Sequence, residues 1–173
     1  MAQIPEFGQV ESAKITVIVD NSADLGTKSS DTIERFKKEP LLAEHGLVVL
    51  ITLNGGAFRI LLDGGFTRIS LLENACRMGI DLGAIDVIVL SHGHDDHTAS
   101  ITDVLKLIAA RRGPHKWPAE PSVEDVEAWI QSRRVPLVAH SAAFRERWRV
   151  KKDGTSMFGP HYDAPSEEWR AAG

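Results

Sequence analysis

Asp86-Val87-Ile88-Val89-Leu90-Ser91-His92-Gly93-His94-Asp95-Asp96-His97 is the stretch on which the reading of this chain turns. Its first half is a short apolar, β-branched run, which predicts a buried strand opening into a loop at Ser91. Its second half gathers three of the chain's seven histidines, together with aspartate, into six consecutive residues. Imidazole nitrogens and carboxylate oxygens suit zinc, manganese or iron, and histidines crowded this closely would repel one another on protonation unless a metal sat among them. His92 and His94 lie two apart, so in an extended segment they point the same way and spacing assigns them to one ion. Asp96 and His97 are adjacent and point differently, which suits a second ion beside the first. Gly93 supplies backbone freedom at the turn. After the cluster, Ile101, Val104, Leu105 and Ile108 recur at helical spacing, predicting a helix from about Thr98 to Arg111 capped by Thr98 or Asp96. A site at the end of a strand and the start of a helix is where α/β folds place their ligands.

Working outward, strands are expected at Lys14 to Asp20, Leu47 to Leu53 and Ala57 to Leu62, the last two joined by the hairpin signal Asn54-Gly55-Gly56. Helices are expected at Thr32 to Lys38 and Ile69 to Met78. Beyond the Pro-rich run from Gly113 to Pro121, Ser122 caps a helical pattern through Val123, Val126, Trp129 and Ile130, in which Trp129 reads as a core residue. Val135 to His140 reads as one more strand, followed by a possible helix at Ser141 to Trp148 and a short one at Ser166 to Ala172. Early hairpin strands followed by alternating strand and helix predict an α/β fold with one sheet and helices over a face.

The pattern His92-x-His94-x-Asp96-His97 resembles the signature of the metallo-β-lactamase-fold superfamily of metallohydrolases. Ile60-Leu61-Leu62-Asp63-Gly64-Gly65 resembles the strand and Asp-x-Gly turn that this superfamily places before its metal loop. Val19-Asp20-Asn21, Glu44-His45-Gly46, Asn74 with Met78-Gly79-Ile80-Asp81, and Ser91-His92-Gly93-His94 are similar to the branch of dihydropterin ribofuranosylaminobenzene-phosphate synthase-like proteins.

The resemblance implies a metallo-β-lactamase-like αββα sandwich, with residues 1–173 forming a single domain that carries its amino-terminal part and lacks the carboxy-terminal half. It implies a divalent metal cofactor, zinc first, with manganese or iron also suited to the donors. His92 and His94 would hold one metal, Asp96 and His97 the other. Asp63 would stand behind the ligands. The implied chemistry is hydrolysis of a small-molecule ester, lactam, thioester or phosphodiester by a metal-bound hydroxide, with Asp96 also acting as the catalytic residue that orients water and manages its proton. The synthase-like branch implies a transferase instead, joining a pterin to an aromatic phosphorylated substrate. The superfamily completes its site with a distal histidine, a bridging aspartate and a final histidine later in the fold. Those ligands are expected from a complementing fragment, in cis or in trans. The alternative is a short non-catalytic protein that binds a metal or a partner, and both versions expect a partner or a homo-oligomer over an exposed sheet face.

Of the other histidines, His140 stands at a strand end, either lining the pocket or bonded to backbone. With His92 and His94, His140 or His161 would complete a three-ligand mononuclear site. His115 lies in a Pro-rich loop and reads as solvated, and His45 reads as structural. The single cysteine, Cys76, excludes an internal disulfide framework and reads as a small buried apolar residue. A net charge of −4 with dispersed Lys and Arg gives no nucleic-acid footprint. No apolar run reaches the roughly 18 residues of a membrane span, and the start lacks a signal-peptide pattern, so a membrane location is not expected and a cytoplasmic one is.

Overall fold

The computed structural model describes residues 8–23, 26, 28–114, 116–145, 149–154, 156–157 and 166–172. A five-stranded sheet runs in chain order, β1 (Ala13–Val19), β2 (Val48–Leu53), β3 (Phe58–Leu62), β4 (Val87–Leu90) and β5 (Leu137–Ala139). The first three strands are antiparallel neighbours, and β4 and β5 add in parallel. The hairpin between β2 and β3 turns through Asn54 and Gly55, at φ 49° and 68°, the left-handed backbone that Asn and Gly tolerate. Parallel strands need crossovers, and helix α1 (Arg68–Met78) supplies the one between β3 and β4. The single turn α2 (Asp95–Thr98), helix α3 (Ile101–Arg112) and helix α4 (Val123–Arg133) lie between β4 and β5. A two-stranded ladder (Arg149–Val150 with Ser156–Met157) and helix α5 (Ser166–Ala172) follow.

The two faces of the sheet differ. Leu50, Leu61, Ile88 and Leu137 form a cross-strand row that joins the core with Leu71 and Ala75 of α1, Ile101, Val104, Leu105 and Ile108 of α3, and Trp169 of α5. On the opposite face, Ile15, Ile51, Ile60 and Val87 make one row and Val17, Val49, Leu62, Val89 and Val138 the next. Both rows are entirely aliphatic. Ile15 and Val17 at the edge are 69% and 48% exposed. Such a face expels water only when something covers it.

Asn74 joins the first strand to the helical layer. Its side chain, fully buried, donates to the carbonyls of Ile18 and Leu42 at 2.7 and 2.9 Å and accepts from the Leu42 N–H at 2.8 Å. A buried amide with three of its hydrogen bonds made fixes the 20–47 connection against α1. Helix α1 closes on Gly79, whose left-handed φ of 68° ends it with N–H bonds back to Ala75 and Cys76.

Four expectations are corrected. Thr32 to Lys38 is not helical: the Ser30 and Ser29 hydroxyls take the N–H groups of Ile33 and Arg35, and Ile33 is left exposed, so no apolar face repays the cost of a helix. The helix after the metal loop does not run unbroken from Thr98. It breaks after α2 and restarts beyond Ser100, and the Thr98 hydroxyl donates back to the His94 carbonyl instead of capping. Cys76 lies on the exposed side of α1. Trp129 is half-buried on a helix that buries no residue fully; its ring packs 5.0 Å from that of Trp117, beneath the Arg133 guanidinium. The expected capping box is present, Ser122 and Asp125 exchanging bonds at the start of α4. Among the described residues no helix is long and apolar enough to cross a membrane.

Candidate metal centre

The loop after β4 is built around one buried carboxylate. Asp63, the residue after β3, is fully buried and sits at φ 61°, a backbone state that aspartate adopts more readily than most side chains. Its N–H donates to the Val89 carbonyl at 2.9 Å and the following Gly64 N–H donates to the His97 carbonyl at 2.6 Å, so the turn after β3 is stitched to the loop after β4. Asp63 Oδ1 accepts the Ser91 N–H at 2.8 Å, and Oδ2 accepts the Ser91 hydroxyl and His97 Nδ1–H, both at 2.7 Å. A buried carboxylate is tolerated where donors surround it in this way.

These bonds fix two imidazoles. His97 gives its Nδ1 proton to Asp63, which leaves the Nε2 lone pair free to face outward. The Ser91 hydroxyl, its proton spent on Asp63, accepts from His92 Nδ1–H at 2.9 Å, so His92 also presents an unprotonated Nε2. His97 Nε2 lies 3.3 Å from Asp96 Oδ2, and the two rings are centred 4.2 Å apart. Among the described residues, His92, Asp96 and His97 form the group whose ligand atoms all lie within 4.8 Å of one another. Two imidazole nitrogens, both rings braced from behind, and a carboxylate oxygen fit a divalent ion such as zinc, manganese or iron. Burial, then the positive charges that His97 and His94 carry when protonated, hold the His92 imidazole below its usual 6.5; Asp63 and Asp96 pull the other way and do not offset them.

The structure thus brings His92 to Asp96 and His97, across the division that spacing assigns. His94, the residue entering α2, packs edge-on against His92 with ring centres 4.5 Å apart and stands beside the trio. His140 caps the short 3-10 turn Ser141–Phe144, its Nδ1 accepting the Ala142 N–H at 3.2 Å. His115 and His161 lie outside the described residues.

Two glycines hold the loop's path. A Cβ on Gly93 would overlap the Ala143 carbonyl oxygen, and one on Gly46 would overlap that of Asp96. Gly46 also stands at φ 121°. The residue before it, His45, reaches Asp96 with Nε2 3.3 Å from Oδ2, a contact that the reading of His45 as structural misses. The motif Glu44-His45-Gly46 is the sequence signal that marks it. Glu44 points the other way, accepting from the Phe66 and Thr67 N–H groups and the Thr67 hydroxyl at 3.2, 2.8 and 2.7 Å, and so neutralises the N-terminal end of α1. Burial raises its carboxyl's pKa, but the bonds from Ser70, Thr67 and Phe66 outweigh that and hold it below its ordinary 4.5.

The model of the metallo-beta-lactamase superfamily matches residues 42–168. The chain is 31% identical over 104 residues to a 7,8-dihydropterin-6-methyl-4-(beta-D-ribofuranosyl)-aminobenzene-5'-phosphate synthase of Methanocaldococcus jannaschii, a match covering 59% of this chain and 31% of that protein. It is 37% identical over 92 residues to an uncharacterized protein of the same organism, covering 53% and 29%. It therefore spans about a third of the length of these relatives. Among solved structures, the metallo-beta-lactamase fold protein YhfI from Bacillus subtilis aligns with a TM-score of 0.39 at 17% identity, over 81% of this chain and 50% of that one. With a family match over most of its length, which includes the strand, loop and helix that carry His92, Asp96 and His97, the chain belongs to the metallo-beta-lactamase superfamily.

Proposed function

We propose that this chain carries the metal-binding part of a metal-dependent hydrolase. The observation that carries this reading is the buried Asp63, which holds Ser91 and His97 and, through Ser91, His92, so that a ring nitrogen of each imidazole converges with the Asp96 carboxylate. A divalent ion bound there lowers the pKa of water towards roughly 7 and polarises the bond under attack. His92 and His97 bind, Asp63 orients them, and Asp96 both binds and accepts a proton from the attacking water. Three protein donors suffice for one catalytic ion with an open position. His94, next to His92, is the donor on offer to a second ion.

Further donors and the substrate's walls come, in this reading, from a complementing segment, in cis or in trans, or from a second copy. The aliphatic rows led by Ile15 and Val17 support a cover of that kind. A transferase is the second reading, favoured by the 31% identity to the archaeal synthase; it would use the same donors.

Elemental analysis of the purified chain against a His92→Ala/His97→Ala variant tests the proposal. One or two ions per chain, absent from the variant, supports it, and hydrolysis of chromogenic esters and phosphodiesters by the loaded protein separates hydrolase from transferase. Equal metal content in the two proteins removes the site.

A further inference from the structure

Asp96 has a neighbour that its role as a donor does not account for. His45, on the connection between β1 and β2, places Nε2 3.3 Å from Asp96 Oδ2, the same oxygen that faces His97 Nε2 at 3.3 Å. Yet the donors that converge within 4.8 Å are His92, Asp96 and His97. His45 therefore approaches the carboxylate from outside the cluster. Its other nitrogen, Nδ1, lies 2.9 Å from Asn21 Oδ1; a half-turn of that amide sets its NH₂ against Nδ1, so that Nδ1 accepts and Nε2 carries the ring's proton towards Asp96.

We propose that His45, backed by Asn21, is a positioning residue that holds the Asp96 carboxylate in the orientation it presents to the metal. The inference rests on reading His92, Asp96 and His97 as metal donors. Asp96 sits on the single turn α2, and a carboxylate there is free to rotate about two side-chain bonds unless something restrains it. An N–H from His45 to Oδ2 restrains one lobe. The surroundings are built to hold the ring in place: Glu44 is pinned to the start of α1, its N–H bonds the Asp20 carbonyl at 3.3 Å, and Gly46 lets the backbone close onto Asp96 without a Cβ. The His45 side chain itself is 77% exposed, so it buries little surface and contributes little to the fold. Hydrogen-bond partners of metal ligands commonly govern affinity by about 10–100-fold.

The test is competition for Co²⁺ between a chromophoric chelator and the 173-residue chain, in wild type, His45→Ala, His45→Gln, Asn21→Ala and His97→Ala, alongside metal-free denaturation midpoints. His45→Ala is expected to bind about 10–100-fold more weakly, with an unchanged metal-free midpoint and unchanged Co²⁺ visible bands, because the donor set is the same. His45→Gln, which keeps an N–H, recovers most of the loss, and Asn21→Ala weakens binding by less than His45→Ala. If His97→Ala loses the ion while His45→Ala binds within twofold of wild type, the positioning role is overturned and the metal site stands. Altered bands in His45→Ala overturn it too, since they make His45 a ligand. A wild-type chain that holds no Co²⁺ overturns both readings.

Discussion

Replacing Asp63 with asparagine separates the hydrogen bonds of the site from its backbone, because asparagine tolerates φ 61° at least as well as aspartate does. The carboxylate receives only donors: the Ser91 N–H at one oxygen, the Ser91 hydroxyl and His97 Nδ1–H at the other. An amide has one NH₂, and either orientation sets it against a donor. Turned towards Oδ1 it opposes the Ser91 N–H, which cannot rotate away. Turned towards Oδ2 it leaves the serine free to swing, but His97 must then accept at Nδ1 and carry its proton on Nε2, which removes the lone pair facing Asp96. One buried donor left unsatisfied costs about 1–3 kcal/mol, and loss of a ligand's partner costs about 10–100-fold in metal affinity. With its NH₂ at Oδ1, Asp63→Asn is expected to lower the unfolding free energy by about 1–3 kcal/mol in denaturant titration; with it at Oδ2, to weaken Co²⁺ by at least tenfold and to move the His97 proton to Nε2 in long-range ¹H–¹⁵N spectra. A variant as stable as wild type that also keeps the His97 proton on Nδ1 and binds Co²⁺ as tightly would refute the account of the site given above.

Gly46→Ala must both hold a side chain at φ 121° and push against the Asp96 carbonyl, at about 1–3 kcal/mol for each; denaturation should show the loss, together with weaker Co²⁺ binding, and a variant as stable as wild type would mean the close approach is absent. Glu44→Gln removes a carboxyl whose folded pKa is lowered, so the stability it contributes is present above the ordinary 4.5 and lost as pH falls through the folded value. The stability gap between wild type and variant should be about 1 kcal/mol near neutrality, the scale of a helix N-cap, and close in acid; a gap independent of pH would count against the charge. His92 is also lowered, from 6.5. The metal-free fold favours its neutral form, so stability should fall as pH drops from 6.5 towards the lowered value and recover as pH rises, and His92→Gln should flatten that part of the profile measured by thermal unfolding.

The strand, loop and helix around the metal donors were legible because each carries a local signal: β-branched residues from Val87 to Val89, a dense polar run, then apolar residues at helical spacing. Asp63 was found through the resemblance of its turn, and the structure supplies the bonds that give that turn its purpose. What local pattern does not encode is which loops meet. His45 touches Asp96 only because Asn74 and Glu44 fold the 20–47 connection back against α1. Helical periodicity likewise does not mark the break at Ala99 and Ser100, after which α3 places Ile101, Val104 and Ile108 in the core. The exposure of Cys76 and the partial exposure of Trp129 depend on how far α1 and α4 are covered, which neighbours decide and residue type does not.

Gly46 and Gly93 press on the loop through carbonyl oxygens, those of Asp96 and Ala143, and no side-chain atom beyond the Asp96 Cβ takes part in either contact. A grip of this kind is indifferent to which amino acids stand at 96 and 143. At position 96 the path of the loop is thus separate from the side chain it displays, and the donor there is open to exchange for glutamate, asparagine or histidine with little disturbance of the backbone beneath it. For protein engineering this makes the segment a cassette: metal preference becomes adjustable one side chain at a time, while the two glycines keep the frame in register.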